Sequence, residues 1–482
     1  MKKFLTRFFG FSFESISFLF LLTGCFRVGP DFKSPETTTQ ESWTEQSPKI
    51  TMDQNVEIGP WWNNYRDDTL NALIEYALQE NFTLEAAGYR ILAARANLGF
   101  AVGEFFPQTQ QSEGSFIRKH ISANAPNTSS VDRDFLDGIL GLRIAWELDF
   151  WGRFYRGVQV AHGEYAATED DYLDLKRILI SDIVVAYIQH KTFQNRITIL
   201  DRNIAIQYRS KEMAKVRWEE GYESELDYAQ AVTLWKETRA QKTNLEIELK
   251  RKLTSIALLV GLTPEAFSCH FTINSESINT PKDAVIGYPA EILYQRSDLR
   301  RSLDLLYAQN ARVGIAVSDL FPRISFTGFL GLECGSNTHS TANQMGKKFF
   351  SNSSLTFFYG PDFAWPILNY GRLENRIKEQ YALLNEGMAT YRNQVLEAYK
   401  EVEDALTFFV KSIEETADLE HSFKYAKRSV DISTLQYQEG LADYSRVLNS
   451  LQLQVAAEDT LALSQGNISL AYATIFKSIG AL

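Results

Sequence analysis

The chain is poor in the residues that most often carry chemistry. Its 482 residues include only three cysteines, six histidines and five methionines. The histidines show no His-Glu-x-x-His or other paired spacing, and the sequence has no Cys-x-x-Cys pair, nucleophile elbow or phosphate-binding loop. These absences argue against an enzyme and against a bound metal or cofactor. The few methionines also provide no ladder that would indicate copper or silver as cargo.

Long apolar runs and an excess of positive charge are missing as well. After residue 25 no window has eighteen uninterrupted apolar residues, so no membrane-spanning helix is expected. The formal net charge is −11, which disfavours nucleic acid as a partner. Two cysteines, Cys269 and Cys334, lie in different parts of the chain, and we expect them to be free thiols rather than a disulfide.

What the N terminus does contain is an export signal. Three positive charges precede a short apolar run, Ile16–Leu22, which is too short to cross a bilayer as a helix. The run ends in Leu22-Thr-Gly-Cys25, the pattern of a lipobox, in which the cysteine thiol takes a diacylglycerol and the signal is cleaved. Residues 1–24 are therefore predicted to be a lipoprotein signal peptide and Cys25 the lipidation site of a palmitate-bearing lipoprotein. The alternative is an ordinary signal peptide with an incidental cysteine.

The residue after Cys25 and the segment that follows complete this interpretation. Phe26 stands where an aspartate would tend to retain a lipoprotein at the inner membrane, so the outer membrane is favoured. Residues 25–60 are polar and contain prolines, which predicts a lipidated, extended linker with little structure of its own.

The rest of the chain contains an internal sequence repeat. Gly99-Phe-Ala-Val, followed by Phe105-Phe-Pro, recurs 215 residues later (99 to 314) as Gly314-Ile-Ala-Val and Leu320-Phe-Pro. Two further landmarks, Gly-Arg153 and Gly221, recur 219 residues later (153 to 372, 221 to 440). Landmarks in one order at nearly one offset predict a duplicated unit. The predicted division is a first repeat at 61–264, an equatorial linker at 265–288 and a second repeat at 289–482.

Helical periodicity dominates each repeat. Apolar residues from Leu373 to Phe409 recur at alternating steps of four and three, which predicts a coiled-coil seam. A matching seam follows Tyr172 and is interrupted only by His190. Since Arg153 to Gly221 contains no proline, we expect one very long helix there, reaching roughly 100 Å at 1.5 Å per residue.

Strand-like segments of membrane length lie between the helices. Hairpins are predicted at about 108–150 and 324–365, with aromatic residues near the strand ends. The corners between strands and helices are assigned to residues that end or open helices: Pro107, Gly152, Pro322 and Gly371. The inter-repeat linker is expected to contain short β-like pieces such as Cys269-His-Phe-Thr-Ile.

The number of strands predicts how the chain assembles. Four strands per chain cannot lie in a bilayer as an open sheet, because each unpaired N–H and C=O would cost several kcal/mol. Four strands also cannot close a barrel, whereas three chains supply twelve. We therefore expect a mostly α protein with membrane β structure: a trimeric 12-stranded β-barrel, four strands per chain, continued by a long periplasmic α-helical coiled-coil barrel with an internal two-fold repeat.

These features resemble one family, the TolC-like outer-membrane channels of tripartite efflux systems, in the lipidated branch paired with resistance-nodulation-division pumps. The resemblance rests on motifs spread over residues 25–482: Cys25 with Val28-Gly-Pro-Asp-Phe, Trp61-Trp62, the two Phe-Pro corners, Trp151-Gly-Arg, Tyr294-Gln-Arg-Ser-Asp298, Tyr399-Lys-Glu-Val-Glu-Asp-Ala-Leu406 and Tyr437-Gln-Glu-Gly440.

The resemblance implies a function as well as a fold. It implies a homotrimer, lipid-anchored in the outer membrane with a large periplasmic part, which docks to a periplasmic adaptor (membrane fusion) protein and an inner-membrane pump. Such a channel passively conducts small toxic compounds, without ATP or chemistry of its own. The alternatives are a conduit for ABC-driven type I protein secretion and a non-conducting periplasmic stalk. The exported substrate and the identities of the partners are not encoded in any motif of the chain.

In this family the tunnel narrows at the periplasmic tip, where the long helices turn. The resemblance places the gate at the second turn, where Asn449 stands at a position that commonly carries aspartate, and Asp443 and Arg446 are candidates to pair between chains. Ordinary solvated turn residues are the alternative. The periplasmic gate candidates are Gly440, Asp443, Arg446 and Asn449. The first turn is acidic and is expected to face the adaptor, through Gly221, Glu223, Glu225 and Asp227.

Overall fold

The computed structural model describes residues 26–36, 42–45, 47–52, 59–126, 132–222, 224–274, 278–287, 289, 295–336 and 348–481. The strands are β1 (Ile50–Met52), β2 (Thr109–His120), β3 (Asp134–Leu148), β4 (Ala284–Ile286), β5 (Arg323–Ser336) and β6 (Leu355–Ala364). The α-helices are α1 (Asp68–Glu80), α2 (Phe82–Gly103), α3 (Arg153–Glu219), α4 (Glu225–Val260), α5 (Pro264–His270), α6 (Ser297–Ser318), α7 (Arg372–Gln438) and α8 (Tyr444–Ile479). Within the described ranges, no helix has both the length and the apolar character needed to cross a bilayer.

The duplication is visible in the lengths of the helices. Helices α2 and α6 each have 22 residues, α3 and α7 each have 67, and α4 and α8 each have 36. The chain divides into two compact units, and each unit draws segments from both repeats. The first unit comprises the described residues of Met1–Pro35, Leu92–Ala167 and Leu303–Thr390, and the second those of Glu36–Ile91, Thr168–Ser302 and Tyr391–Leu482.

The first unit contains a four-stranded antiparallel sheet in the order β2-β3-β5-β6. The two hairpins are joined where β3 pairs with β5, for example Leu142 opposite Leu330. Because successive side chains point to opposite faces of a strand, the register separates two kinds of residue. One face carries mostly large apolar side chains: Phe116, Leu140, Leu142, Ile144, Trp146, Phe326, Leu330, Phe357, Tyr359 and Phe363.

The opposite face of the sheet is predominantly polar. Arg143 on β3 donates two hydrogen bonds to the Glu113 carboxylate on β2, at 2.9 and 2.7 Å. Lys119 donates to Asp137 on the same face. All four strands of the sheet therefore share one apolar face and one polar face.

The corners between strands and helices follow from local backbone chemistry. Helix α3 begins after Gly152, whose φ is +77°, and α7 begins after Gly371, whose φ is +79°. The Asp149 carboxylate accepts hydrogen bonds from the backbone N–H groups of the first turn of α3, at 3.0 and 2.9 Å, as a helix N-terminus favours. The helices that precede the two hairpins, α2 and α6, end four residues before Pro107 and Pro322 respectively.

The segment after the predicted lipid site is fixed on this first unit. The Val28 N–H donates to the Trp151 carbonyl at 3.2 Å, and the buried Arg156 guanidinium donates to Gly29 O and to Asp31. Gly29 has a φ of +86°, and a Cβ there would lie 2.5 Å from the Gly314 Cα. Only glycine fits this close approach, so residues 28–31 are held tightly against the first unit. Cys25 itself lies outside the described residues.

The second unit has the larger core. Trp61 stacks on Phe476 with ring centroids 5.3 Å apart, and the buried Tyr65 hydroxyl donates to the Ser469 carbonyl at 2.7 Å. Strand β1 pairs in parallel with β4. Part of the segment predicted as a linker with little structure of its own, Ile50–Met52, therefore contributes a strand.

A buried arginine ties three parts of the second unit together. Arg296 donates to Asp298 at 3.0 and 2.7 Å and to the Ser478 carbonyl at 2.7 Å, and it lies 2.8 Å from Glu401. Burial alone would raise the pKa of Asp298, but the hydrogen bonds and charge of Arg296 outweigh it and hold that pKa below its usual range. Two motifs noted in the sequence, around 294–298 and 399–406, thus meet in one network.

One local prediction was wrong. Cys269 and His270 were expected in a β-like piece, but they lie in the last turn of α5. The sequence Thr263-Pro264 explains this, because the Thr263 hydroxyl caps the helix by accepting from Ala266 N, and proline fits the first helical position. Cys269 is exposed, Cys334 is buried in β5, and both are free.

Candidate functional site

Two helix turns lie in the second unit, one in each repeat. The first joins α3 to α4 through Gly221, and the second joins α7 to α8 through Gly440. Their φ angles are +78° and +70°, and no atom lies within 4 Å of an added Cβ at either position. The backbone conformation, rather than close packing, therefore requires glycine here.

The two turns close with the same hydrogen-bond pattern. The Tyr222 N–H donates to the Arg217 carbonyl at 2.9 Å, and the Leu441 N–H donates to the Gln436 carbonyl at 2.8 Å. Each is the long bond of a Schellman motif, which satisfies carbonyls at the end of a helix. The turns are thus well-defined stops and not frayed ends.

A buried cluster holds the two turns side by side within one chain. The Tyr444 hydroxyl lies 3.0 Å from Ser210 Oγ, and its ring meets that of Tyr437 edge-on at 5.3 Å. The Arg217 guanidinium lies 4.3 Å from the centre of the Tyr437 ring and donates to the Gln438 carbonyl at 3.1 Å. Burial raises the pKa of Tyr444, so it remains a neutral hydrogen-bonding group. The surrounding apolar residues are Ala214, Ala231, Leu234, Val430, Val447 and Leu451.

The two turns differ in how the following helix is capped. Ser224 caps α4, since its hydroxyl accepts from Leu226 N at 3.1 Å. Asp443 stands at the corresponding place before α8 (224 + 219), but its carboxylate makes no capping hydrogen bond. Asp443, Arg446 and Asn449 are all exposed, and within the described part of one chain neither Asp443 nor Arg446 forms an ion pair. The pairing of these two residues between chains stays a prediction.

Large apolar side chains project from both turns. Tyr222 is 80% exposed, Leu226 63% and Leu441 78%. The charge pattern of the turns does not point to Tyr222 or Leu226. A large apolar residue directly after a helix-ending glycine, as at Tyr222, is the signal by which the first of them could be found. Of the acidic candidates at the first turn, Glu225 is exposed, Asp227 is half-buried, and Glu223 lies outside the described residues.

The family model described as "Outer membrane efflux protein" matches this chain at residues 73–262 and again at 288–481, one match in each repeat. The chain belongs to the outer membrane efflux protein family.

Individual relatives agree with this assignment. Nodulation protein T of Rhizobium leguminosarum bv. viciae is 27% identical over 92% of this chain and 87% of its own length. The solvent efflux pump outer membrane protein SrpC of Pseudomonas putida is 26% identical over 96% of each chain. The solved structure of the outer-membrane channel OprN is similar with a TM-score of 0.84 and 28% identity, over 94% of this chain and 99% of that one. The predicted TolC-like fold, with membrane-length strands and very long helices, is confirmed.

Across the described ranges, no group of three or more His, Cys, Asp or Glu side chains could hold a metal ion. The two turns provide rigid backbones, exposed charges and exposed apolar side chains. Such a surface can meet other protein surfaces.

Proposed function

We propose that this protein is the outer-membrane channel of a tripartite efflux system. In this proposal three copies form a passive conduit for small toxic compounds, lipid-anchored at Cys25. The conduit opens when it docks to a periplasmic adaptor and an inner-membrane resistance-nodulation-division pump. Family membership supports the channel role, and the following features support the finer parts.

The observation that carries the proposal is the two-faced sheet with two free edges. Among the described residues, β2 and β6 each pair on one side only. An apolar face suits lipid and a polar face suits a water-filled bore. Because unpaired edges are not tolerated in a bilayer, the edge β2 of one copy is expected to pair with β6 of the next. Three copies then provide twelve strands.

The position of the N-terminal segment supports lipid anchoring. Val28 is fixed to the Trp151 carbonyl at the strand–helix corner, and Cys25 lies only three residues away, so at most about 11 Å of extended chain separates them. In the proposed barrel this corner lies at the periplasmic face of the membrane. A lipid on Cys25 would therefore reach the bilayer without strain.

The two helix turns supply the gate and the docking surface. We assign closure to the second turn, where the uncapped Asp443 carboxylate and Arg446 are exposed. The first turn, through Glu225 and Asp227, is assigned to the adaptor. The related proteins carry names as different as nodulation and solvent efflux, so the compound transported by this chain is left unassigned.

Disulfide cross-linking tests the trimer. In a background with Cys269→Ser and Cys334→Ser, Ser115→Cys on β2 is combined in turn with Thr356→Cys, Phe358→Cys or Gly360→Cys on β6. All four positions lie on the polar face. We expect one combination to give covalent trimers on non-reducing gels. The matched control is Ala145→Cys with Thr327→Cys. These two positions lie opposite each other on β3 and β5 of the same chain, so their disulfide should give only monomers.

Conductance separates the channel from its alternatives. The purified wild-type protein is expected to form pores in planar bilayers, which a non-conducting stalk cannot do. Cells that lack the protein should become sensitive to small toxic compounds and keep normal export of proteins. A folded monomer as the only species by native mass spectrometry, or a protein-secretion defect alone, would contradict the proposal.

The lipid anchor is tested by Cys25→Ser. We expect the variant to lose both acylation and cleavage by the lipoprotein pathway, while strand insertion persists because the lipid acts only as a tether. Intact-mass measurement of the mature wild-type protein should find a lipid-modified Cys25 at its N terminus. An unmodified N terminus at another residue would refute the assignment.

A further inference from the structure

A cavity of about 970 Å³ opens at the corner between β6 and α7, within the first unit. Its lining includes three arginines, two carboxylates and one tryptophan: Arg323, Arg372, Arg376, Asp319, Glu379 and Trp365. We call this cavity the corner pocket. An excess of positive charge beside an aromatic ring suits a ligand that joins an anionic group to an apolar part.

Two of the three arginines have no carboxylate partner. Arg323 donates to Asp319 at 3.1 Å, and Asp319 also lies 4.0 Å from Arg153, so this carboxylate is already shared. Arg372 and Arg376 are exposed and form no ion pair with any described residue. They stand four residues apart on α7, which places them on the same side of the helix.

The equivalent corner of the first repeat is closed by a glutamine. Gln108 donates to the Glu104 carbonyl at 2.8 Å and to the Glu147 carbonyl at 3.3 Å, and it accepts from the Glu147 N–H at 2.7 Å. In the second repeat Arg323 replaces Gln108 (108 + 215) and Pro366 replaces Glu147 (147 + 219). Because proline has no N–H to donate, the bridge cannot form and the corner stays open.

The change from Glu147 to Pro366 also leaves an arginine free. In the first repeat Arg153 donates to the Glu147 carboxylate at 3.1 Å. Its equivalent Arg372 (153 + 219) has a proline where that acid would stand. One turn further along the helix, Arg376 takes the place of a glycine, residue 157 (157 + 219). The second corner has therefore lost an acid and gained a base around one cavity.

The start of α7 has lost its acidic cap as well. The Asp149 carboxylate accepts hydrogen bonds from the first-turn N–H groups of α3, at 3.0 and 2.9 Å. The equivalent residue before α7 is Leu368 (149 + 219), which is 80% exposed and whose side chain has no acceptor. The positive end of the α7 dipole therefore adds to the two arginines, and both favour an anion.

The apolar side chains beside the corner pocket indicate which anion it fits. Trp365 is 54% exposed, and its Nε1 donates to the Leu320 carbonyl at 2.9 Å. It follows Phe363, which is 72% exposed on the apolar face of the sheet. Tryptophan at such a boundary is typical of the bilayer interface. A phosphoryl group held by the arginines would leave its acyl chains beside these rings.

We propose that the corner pocket binds the headgroup of a phospholipid, with the phosphoryl oxygens on Arg372 and Arg376. Arginine suits this ligand because its planar fork binds phosphate through two parallel hydrogen bonds. Glu379 is exposed and forms no ion pair with any described residue, so it is free to meet the ammonium of a phosphoethanolamine headgroup. The placement of the pocket at the periplasmic face of the membrane rests on the proposed function.

A carboxylate of the next copy is the competing partner for one of the two arginines. The repeat offsets relate the contact between Arg153 and Asp319 to a contact between Arg372 and Glu104 of the next copy (153 + 219, 319 − 215). Arg376 has no such counterpart, because a glycine stands at its equivalent position. Substitution of Arg376 alone therefore tests the ligand without touching that contact.

Native mass spectrometry of the full-length, delipidated protein in detergent tests the corner pocket. The probes are phosphatidylethanolamine, phosphatidylglycerol and a diacylglycerol of the same acyl chains, which lacks phosphate. We expect one phospholipid per chain to bind in preference to diacylglycerol. Arg376→Gln should weaken the binding of both phospholipids by about threefold, and its combination with Arg372→Gln by about tenfold. Glu379→Gln should weaken only phosphatidylethanolamine.

The matched control is Lys378→Gln with Arg392→Gln, which removes two exposed positive charges from α7 outside the pocket lining. It should change binding by less than about twofold. Leu368→Asp restores the cap of the first repeat, so it should weaken phospholipid binding without lowering the thermal unfolding midpoint.

Equal binding of phospholipid and diacylglycerol, or equal losses in the pocket and control variants, would overturn the proposal. Calorimetry with inorganic phosphate separates the two sources of a phosphoryl group. Phosphate binding that depends on Arg376, in a protein with no preference for phospholipid, would assign the pocket to a soluble ligand and overturn the lipid assignment. Native mass and pore conductance of the same sample report on the proposed function: conducting trimers without bound phospholipid would overturn this inference alone.

Discussion

The two helix hairpins have the same lengths, but they are buried very differently. Of the 36 residues of α4, six are buried, whereas twenty of the 36 residues of α8 are buried. Small residues let α8 approach its neighbours closely: a Cβ on Gly466 would lie 2.4 Å from the Thr192 hydroxyl. Helix α4 instead carries charged and aromatic residues along its exposed side. A duplicated sequence can thus keep its helix boundaries while one copy becomes internal packing and the other becomes a surface.

The largest expected effect comes from reversing charge at one equivalent position in each repeat. Glu458 on α8 is buried and accepts from Arg202 at 3.1 Å and Asn203 at 2.9 Å, whereas its equivalent Arg239 on α4 is exposed. Glu458→Arg should destabilise the protein by about 2–4 kcal/mol, less than a fully buried pair because Arg202 is largely exposed. Arg239→Glu should cost less than about 0.5 kcal/mol.

Thermal unfolding in detergent, followed by circular dichroism, measures this difference. The midpoint of Glu458→Arg should fall well below that of wild type, while Arg239→Glu should remain close to it. Equal losses in the two variants would show that α4 and α8 are equally buried in the assembled protein.

A second prediction concerns His190, the polar residue that interrupts the coiled-coil seam after Tyr172. His190 is buried, its Nδ1 has no partner among the described residues, and burial lowers its pKa. The unfolded chain therefore binds a proton near pH 6.5, while the folded chain binds one only at lower pH. Stability is fully present above about pH 6.5 and declines as the pH falls toward the folded pKa.

The second repeat carries Phe409 at the equivalent place (190 + 219), fully buried. We expect His190→Phe to stabilise by at most about 1 kcal/mol at pH 8, because the unsatisfied buried Nδ1 is removed but the hydrogen bond between the ring and the Leu249 backbone is lost as well. At pH 5 the stabilisation should be larger. Urea unfolding at the two pH values measures this. The exposed His421→Phe serves as a control without a comparable pH effect, and a pH-independent gain for His190→Phe would show that its titration is irrelevant to stability.

The smallest effect is expected at the turns, where the comparison addresses function. If Asp443 and Arg446 pair between chains, Arg446→Ala leaves carboxylates near the axis without partners and loosens the tip. We expect single-channel conductance and sensitivity to large antibiotics such as vancomycin to rise, by no more than about fivefold, since an exposed pair contributes at most about 1 kcal/mol. Salt should reduce the difference.

The matched control lies in the first repeat, where Asp227 is equivalent to Arg446 (227 + 219). Asp227→Ala should leave conductance unchanged. Equal conductance of wild type, Arg446→Ala and Asp443→Ala would move the constriction to other tip residues, most simply the exposed Leu441.

The sequence by itself determined the features that depend on local backbone chemistry. Glycines at 152, 221, 371 and 440 mark helix boundaries because each adopts positive φ, and the apolar periods of about 3.6 and 2 separate helix from strand. The repeat offset gave equal helix lengths in both halves. The β-like assignment of Cys269 failed because a local capping signal, Thr263-Pro264, had been overlooked.

Only the tertiary structure decided which residues distant in sequence come together. The pairing of β3 with β5, the parallel pairing of β1 with β4, and the contact of Arg296 with Glu401 join segments that no spacing relates. The same holds for the unequal burial of α4 and α8. Periodicity shows that a helix has an apolar side, but the packing of the whole chain decides which element covers that side and which charges remain exposed.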